Sequence, residues 1–404
     1  LGASALGSGT LTVNAVGITQ SGAITQASSA GTATFNAGAG AITLTNASNN
    51  FTGSVSLTNS GANNAAITDI DSLDLETSSV SGNLTIITGR DISQNSSNST
   101  LYVGGTSNFS TGSGVTLGDI SLANTGNDLV GELNFNSTGS ISIADINNIQ
   151  IGTLTTEGVL VLFANDNISS TGPLVVGTGS QLSTFNGTIN LTNQSNNFTG
   201  PVSLTNSGAN NVTITDLNAI TIGATSLGTG TLTVNAVGIT QSDAITQASG
   251  AGTATFNAGA GAITLTNTAN DFTGTVNLSN SGANNVAITD ANTITIGTTS
   301  LGTGTFSVNG GTINLNRNIT TTDNNQTFTG NVLINANNSG LPLTLSAGSG
   351  AINITGNVNS AAATNYNLTI NTTGDVTISG AIGSTQALGI LSITGNDINL
   401  GNIG

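Results

Sequence analysis

The feature that most constrains the fold of this chain is a long internal repeat. Residues 6–70 recur without a gap as residues 227–291, and the two copies differ at eleven of 65 positions. Nearly all of these differences exchange small or polar residues, whereas the large apolar residues are mostly unchanged. Such self-similarity is typical of solenoids and other arrays, in which each repeat packs on its neighbours.

A shorter period lies inside the long one. The stretch "NNFTGSVSLTNSGANN", residues 49–64, returns as "NNFTGPVSLTNSGANN" from Asn196 and as "NDFTGTVNLSNSGANN" from Asn270. A glycine and an aspartate recur in step with these copies, at Gly53, Gly131, Gly200 and Gly274 and at Asp69, Asp145, Asp216 and Asp290. This spacing predicts one continuous domain of units of about 74 residues, with bounds near 6–80, 81–158, 159–226, 227–310 and 311–404.

Within each unit, apolar residues alternate with polar ones. Two apolar residues spaced two apart place both side chains on the same face of a β-strand. Gly, Asn and Asp lie between the pairs, and these residues favour turns because they accept positive φ or bond to their own backbone. The pattern predicts inward-facing core positions for Phe51, Phe198, Phe272, Val55, Leu57, Ile263, Leu265, Val276 and Leu278.

The shortness of the apolar pairs favours a narrow coil over a sandwich or a propeller. Two inward residues per strand cannot fill a wide core, but they can fill a coil whose turns stack on one another. We predict an all-β, right-handed parallel β-helix (β-solenoid) with about three short strands and roughly 23–25 residues per turn, where the handedness rests on the crossover rule. Side-chain amides are predicted to pair along the axis at Asn63, Asn64, Asn210, Asn211, Asn284 and Asn285.

The composition excludes several classes of function. The chain carries 18 acidic residues against two basic ones, Arg90 and Arg317, and a formal net charge of −16. It therefore lacks a basic surface for nucleic acid or anionic lipid. Without His, Cys or Lys it cannot form a His- or Cys-based nucleophile–base pair or a phosphate-binding P-loop. No apolar run approaches the ~18 residues of a membrane span, so we expect no membrane insertion.

One acidic stretch is a candidate site. "ITDIDSLDLE" contains Asp69, Asp71, Asp74 and Glu76, and Asp69 and Asp71 would share a face if the stretch were a strand. Oxygen ligands without nitrogen or sulfur suit Ca²⁺, which is the only cofactor that the sequence suggests. The alternatives are a solvated corner and the carboxylates of a carbohydrate-cleaving β-helix. The recurring Asp69, Asp145, Asp216 and Asp290 are predicted to cap their own turns.

Three stretches carry a resemblance to a known family. "NNFTGSVSLTNSGANN", "QTFTGNVLINANNSGLPLTLSAGSGAINITGNVN" and "LTINTTGDVTISGAIG" resemble the repeats of filamentous-haemagglutinin-like surface proteins and autotransporter passenger domains of Gram-negative bacteria. The resemblance covers nearly the whole chain and is tightest over residues 311–404. It implies an exported β-helix that serves as an adhesin shaft, surface fibre or matrix component.

We therefore expect a non-catalytic structural or adhesive solenoid that is secreted or displayed on a bacterial surface. The alternatives are a carbohydrate-binding or carbohydrate-cleaving β-helix, and an ice-binding solenoid that uses outward rows of threonine. Neither end of the sequence shows a capping segment, so we expect either a window in a longer solenoid or subunits that associate end to end. A host-cell, matrix or glycan ligand is the expected partner, and nucleic acid is not.

Overall fold

The structure, a computed structural model, describes residues 1–112, 117–335, 341–361 and 364–404. It divides into two compact units, Leu1–Gly200 and Pro201–Gly404, whose boundary falls inside the predicted repeat 159–226. Within the described residues the fold is all-β without a helix, and its parallel strands stack as a β-solenoid of about 18 turns counted over both units. The predicted fold class of an all-β parallel solenoid is confirmed.

The first unit contains short strands from end to end. They are β1 (Ser4–Leu6), β2 (Leu11–Asn14), β3 (Ile18–Thr19), β4 (Ile24–Gln26), β5 (Ala33–Asn36), β6 (Ile42–Leu44), β7 (Val55–Thr58), β8 (Ala65–Asp69), β9 (Leu73–Leu75), β10 (Ser78–Val80), β11 (Leu84–Thr88), β12 (Ile92–Gln94), β13 (Leu101–Val103), β14 (Ser107–Thr111), β15 (Ile120–Leu122), β16 (Asp128–Leu129), β17 (Leu133–Ser137), β18 (Ile141–Asp145), β19 (Ile149–Thr156), β20 (Leu160–Ala164), β21 (Ile168–Ser170), β22 (Leu174–Val176), β23 (Ser180–Thr184), β24 (Ile189–Leu191) and β25 (Asn197–Phe198).

The second unit continues the same pattern with some longer strands. They are β26 (Val202–Thr205), β27 (Val212–Thr215), β28 (Ile220–Leu227), β29 (Leu232–Asn235), β30 (Ile239–Gln241), β31 (Ile245–Gln247), β32 (Ala254–Asn257), β33 (Ile263–Leu265), β34 (Thr275–Ser279), β35 (Val286–Thr289), β36 (Thr293–Ser300), β37 (Phe306–Leu315), β38 (Ile319–Thr320), β39 (Gln326–Ile334), β40 (Leu343–Gly348), β41 (Ile352–Ile354), β42 (Val358–Ser360), β43 (Leu368–Thr372), β44 (Val376–Ile378), β45 (Leu391–Thr394) and β46 (Ile398–Leu400).

Each turn of the solenoid uses about three strands, as predicted. In the first unit β10, β11 and β12 form one turn, and they pair in parallel with β13, β14 and β15 of the next turn. The turns differ in length: a short one runs from Leu133 to its partner Ile151, and a much longer one runs from Ile92 to its partner Ile120. These two turns lie outside the predicted range of roughly 23–25 residues per turn, because the connections between strands absorb insertions without changing the strand stack.

The core consists of columns of inward side chains, one from each turn. All nine predicted core residues lie in it and are at most 2% exposed: Phe51, Phe198, Phe272, Val55, Leu57, Ile263, Leu265, Val276 and Leu278. The rings of Phe35 and Phe51 pack edge to face at 5.8 Å between centroids, and Phe256 and Phe272 pack in the same way at 5.9 Å. The long repeat therefore preserves side-chain packing as well as sequence.

One core column contains a serine whose side chain makes no hydrogen bond to any described residue. Ser107 pairs with Leu84 in the preceding turn and with Leu133 in the following turn. Its side chain is fully buried and its Oγ is unsatisfied. We expect Ser107→Ala to raise the free energy of unfolding by about 1 kcal/mol, because it removes a buried hydroxyl that water would otherwise solvate. Urea unfolding followed by circular dichroism measures this change.

The matched control for Ser107 is Ser137. The Oγ of Ser137 is also buried, but it donates to Gly118 O at 2.6 Å. Ser137→Ala should therefore lower the free energy of unfolding by about 1 kcal/mol. Equal losses in the two variants would show that the hydroxyl of Ser107 has a partner after all.

Candidate functional site

In the units 6–80, 81–158, 159–226 and 227–310, an asparagine side chain lies in the core at one corner of the solenoid. These asparagines are 0% exposed and each follows an inward isoleucine by seven residues, in the pairs Ile42 and Asn49, Ile120 and Asn127, Ile189 and Asn196, and Ile263 and Asn270. A glutamine, a glycine and an aspartate accompany most of them. We call these four residue types together the buried polar corner.

The asparagine of the buried polar corner joins three successive turns. Asn270 Oδ1 accepts a hydrogen bond from Ile245 N of the preceding turn at 2.9 Å. Its Nδ2 donates to Leu265 O at 3.2 Å and to Thr289 O of the following turn at 3.1 Å. Asn49 makes the same three bonds, with Ile24, Leu44 and Thr68. The side chain thus satisfies backbone groups at a corner where the strand ladder is interrupted.

A glutamine completes three of the four corners. Gln241 Nε2 donates to Asn270 Oδ1 at 2.9 Å, and Asn270 Nδ2 donates back to Gln241 Oε1 at 3.0 Å. The pairs Gln20–Asn49 and Gln94–Asn127 repeat this amide pair. In the third corner, near Asn196, the glutamine position is occupied by Ser170, whose buried Oγ bonds to none of the described residues.

Restoring the glutamine in the third corner should stabilise the fold. We expect Ser170→Gln to raise the free energy of unfolding by about 1 kcal/mol, because the new amide can reach the Asn196 side chain and replaces an unsatisfied hydroxyl. Ser170→Ala is the control, since it removes the hydroxyl without adding an amide. If Ser170→Gln is no more stable than Ser170→Ala in urea unfolding, the glutamine does not contribute in this way.

The aspartate of the corner bonds to two backbone N–H groups. Asp69 Oδ1 accepts from Asp71 N at 2.8 Å, which is the predicted cap of its own turn. Its Oδ2 accepts from Phe51 N of the preceding turn at 2.7 Å, a bond that the sequence did not indicate. The same arrangement holds Asp145 with Leu129 and Asn147, and Asp290 with Phe272 and Asn292. Asp216 caps its own turn by accepting from Asn218 N at 2.6 Å.

These aspartates are buried carboxyls. Asp69, Asp145, Asp216 and Asp290 are each at most 4% exposed, so the alternative of a solvated corner is wrong for Asp69. Burial raises the pKa of Asp69 and of Asp145 to about 6, although the two backbone N–H groups at each carboxyl oppose the rise. Burial also raises the pKa of Asp290 above its ordinary value.

The glycine of the corner is required by space. A Cβ on Gly53 would lie 2.3 Å from Gly31 O, and one on Gly274 would lie 1.9 Å from Gly252 O. Gly131 and Gly200 face carbonyl oxygens of the preceding turn in the same way. None of these four glycines has a positive φ. They therefore recur because the backbones of two turns approach closely at this corner.

The candidate calcium residues do not converge. Strand β8 ends at Asp69, so Asp71 does not share its face as expected: Asp69 points inward, whereas Asp71 is 56% exposed and lies 3.7 Å from Arg90. Asp74 accepts from Ser93 Oγ at 2.9 Å, and Glu76 accepts from Asn95 Nδ2 at 2.6 Å. Over the described ranges, no group of three or more acidic side chains is placed to hold a metal ion.

An open depression of about 470 Å³ lies beside these acids in the first unit. Its lining includes Asp71, Asp74, Arg90 and Phe51. A carbohydrate site would stack sugar on an exposed aromatic face, but Phe51 is only 2% exposed. The depression therefore offers carboxylates without an aromatic platform, and this geometry does not favour the carbohydrate alternatives.

The predicted pairing of asparagine amides at the "NSGANN" turns is wrong. Asn63 Nδ2 donates to Ala39 O at 3.0 Å and to Ser60 O at 2.8 Å, and Asn64 Oδ1 accepts from Asn83 N at 2.9 Å. The other turn asparagines also bond to backbone, namely Asn210, Asn211, Asn284 and Asn285. Turns leave backbone groups unpaired by the strand ladder, and these asparagine side chains bond to those groups.

The outward threonine rows are short. Thr221, Thr240 and Thr264 align in successive turns of the second unit, but the next residue in the row is Ala287. The Oγ1 atoms of Thr221 and Thr240 lie 3.1 Å apart and bond to each other. A row that is interrupted after three turns does not form the regular array that the ice-binding alternative requires.

Reasoning from sequence missed the asparagine and the glutamine of the buried polar corner. The signal was present, because Asn49, Asn127, Asn196 and Asn270 recur in step with the glycine and the aspartate. These asparagines stand in polar stretches that were predicted to form turns. Only the structure shows that they are buried while their neighbours are not. In the part of the chain that the structure describes, no helix has the length and apolarity of a membrane span.

Comparison with known families gives one match. A family model described as "Repeats of unknown function (DUF5649)" matches residues 1–58, 62–136, 138–205 and 209–279, which is well over half of the chain. Each match ends five residues after the corner glycine, at Gly53, Gly131, Gly200 and Gly274 respectively. The repeat of the family therefore coincides with the repeat of the buried polar corner. No curated protein and no solved structure matches the chain.

Proposed function

The chain belongs to this family of repeats, and we propose that it is a non-catalytic structural or adhesive solenoid outside the cell. The observation that carries the proposal is that the buried polar side chains bond to the backbone of neighbouring turns. In the corners of Asn49, Asn127 and Asn270, amides and carboxylates bond to the backbone of adjacent turns. These polar side chains therefore hold turns together, which is the task of a scaffold.

The surface charge supports an extracellular filament or shaft. Most of the 18 acidic residues lie outside the buried polar corner, so neighbouring copies repel one another laterally, which keeps long solenoids separate in solution. Stacking of one solenoid on the next, end to end or within one longer chain, is the self-association that we propose. The similarity to filamentous-haemagglutinin-like and autotransporter repeats favours a bacterial surface, with a host-cell, matrix or glycan ligand as the partner.

An in-register deletion tests the shaft. Removing residues 51–271 takes out one full period of the long repeat, and it joins Asn50 to Phe272 so that the repeat sequence continues unbroken. Immunogold electron microscopy of the producing cells should place an epitope after the deletion outside the cell, and closer to the surface in the deleted variant than in the unaltered protein. Label inside the cell, or an unchanged distance, would overturn the proposal.

Adhesion is tested separately. Beads coated with the folded chain should bind to host cells or extracellular matrix, and beads coated with the heat-unfolded chain should not. If the folded chain gives no binding while the deletion shortens the distance, the protein is a spacer without adhesive function.

A further inference from the structure

We propose that the aspartates of the buried polar corner make this fold acid-responsive, so that the folded chain is more stable in mildly acidic than in neutral solution. The groups concerned are Asp69 and Asp145 in the first unit and Asp290 in the second. The three aspartates occupy equivalent positions in different repeats. A response of the solenoid to pH is a property beyond the proposed structural or adhesive function.

The geometry places each carboxyl against backbone N–H groups, and none of the described cations is paired with it. Asp69, Asp145 and Asp290 are at most 3% exposed, and each accepts from an N–H group of the preceding turn. The Asp69 carboxyl bridges Phe51 N of the preceding turn and Asp71 N of its own turn. A change in its ionisation therefore acts directly on a bond between two turns.

The charged groups that face these carboxyls are mainly other carboxylates. Asp71 faces Asp69, Asp128 faces Asp145, and Asp271 faces Asp290, and each one disfavours a second negative charge. Among the described residues, the cation near this set is Arg90, which lies 3.7 Å from Asp71 and is more than half exposed. Ionisation of each buried carboxyl thus adds a negative charge to a site that is both desolvated and already negative.

The direction of the pH effect follows from linkage. Burial raises the pKa of Asp69 and of Asp145 from 3.8 to about 6, and it raises the pKa of Asp290 as well. The folded chain then holds protons that the unfolded chain releases, so this contribution to stability is fully present below about pH 4 and is lost as the pH rises through 6. The fold should be more stable at pH 5 than at pH 7.

The composition simplifies the interpretation of stability measured between pH 5 and pH 7. The chain has no Cys and no His, the residue type whose ordinary pKa lies in the window between pH 5 and 7. A pH dependence of stability in this window therefore reports carboxyls whose pKa is raised. Asp74 is a further such group, since burial raises its pKa, and it accepts one bond from Ser93 Oγ.

The test is urea unfolding of the full chain at pH 5, 6 and 7 at constant ionic strength, with Asp69→Asn and Asp145→Asn beside the unaltered protein. For a carboxyl whose pKa rises from 3.8 to about 6, the unfolding equilibrium constant increases about tenfold from pH 5 to pH 7. In each variant, the change of the unfolding equilibrium constant between pH 5 and pH 7 should be about tenfold smaller than in the unaltered protein. The matched control, Asp243→Asn, changes the aspartate that replaces Gly22 in the second copy and should keep the full pH dependence.

A second measurement does not depend on how well the variants fold. Carbon-13 NMR of the intact protein labelled at aspartate carboxyls should show resonances that titrate near pH 6, and Asp74→Asn identifies the share of Asp74. Stability that is constant between pH 5 and 7, or carboxyl resonances that all titrate below pH 5, would overturn the proposal. A pH dependence of stability that is undiminished in both Asp69→Asn and Asp145→Asn would overturn it too.

Discussion

Gly274→Ala is expected to lower the free energy of unfolding by about 3 kcal/mol or more. The new Cβ would lie 1.9 Å from Gly252 O and 2.9 Å from Ala251 O, and both atoms belong to the backbone of the preceding turn. A side-chain neighbour could rotate away, but a backbone carbonyl can move only if the two turns separate. Separation would break strand pairing and expose the ring of Phe272 beside it. Urea unfolding followed by circular dichroism measures the loss.

The control for this substitution is Gly9→Ala. A Cβ on Gly9 would meet no atom within 4 Å, and Gly9 does not have a positive φ. Alanine there should be neutral or slightly stabilising, because it restricts the unfolded chain without a clash. If the two variants lose stability equally, the clash at Gly274 is not the reason for the recurring glycine.

Asn270→Ala is expected to have a comparable effect, with a loss of about 3–5 kcal/mol. The substitution leaves Ile245 N, Leu265 O and Thr289 O without their side-chain partner, in a place where water has no access. It also removes both hydrogen bonds between Asn270 and the side-chain amide of Gln241, which keeps its bonds with Asp243 O and Asn267 N. Each buried polar group that loses its partner costs about 1–3 kcal/mol, and relaxation of the corner recovers part of the sum.

Two further variants separate this effect from a general sensitivity to mutation. Asn270→Asp keeps the shape of the side chain but removes its two N–H donors, so it should destabilise the fold nearly as much. Asn267→Ala changes a partly exposed asparagine three residues earlier, whose Oδ1 caps Ala269 N at 2.9 Å, and should cost about 1 kcal/mol or less. A small loss for Asn270→Ala would mean that water can replace the side chain.

The fold followed from sequence because its signals are local. Alternating pairs such as Ile263 and Leu265 define strands, and the Gly- and Asn-rich stretches between them define turns. The recurring Gly53 and its equivalents showed the period of the repeat without showing why a glycine is needed. That reason is the carbonyl of Gly31 one turn away, and the distance between turns is not written in the sequence.

The site was harder to predict than the fold. Asp69 was recognised as recurring, but it was grouped with Asp71, Asp74 and Glu76 because these acids are close in sequence. In the structure, Asp69 instead accepts a hydrogen bond from Phe51 N of the preceding turn. Strand β8 ends at Asp69, and the chain beyond it runs toward the surface. Proximity along a solenoid follows the register between turns, and turns of unequal length make that register hard to infer.

The sequence by itself determined the strands, the turns and the repeat, because an apolar pair two residues apart can be buried only on one face of a strand and because glycine and asparagine tolerate tight turns. Tertiary structure alone decided which polar residues are buried. Asn49 and Asn63 look alike in "NNFTGSVSLTNSGANN", yet Asn49 is fully buried and Asn63 bonds at the surface. The difference arises because at the corner of Asn49 the backbone groups of Ile24, Leu44 and Thr68 lie inside the core, and the buried amide bonds to all three.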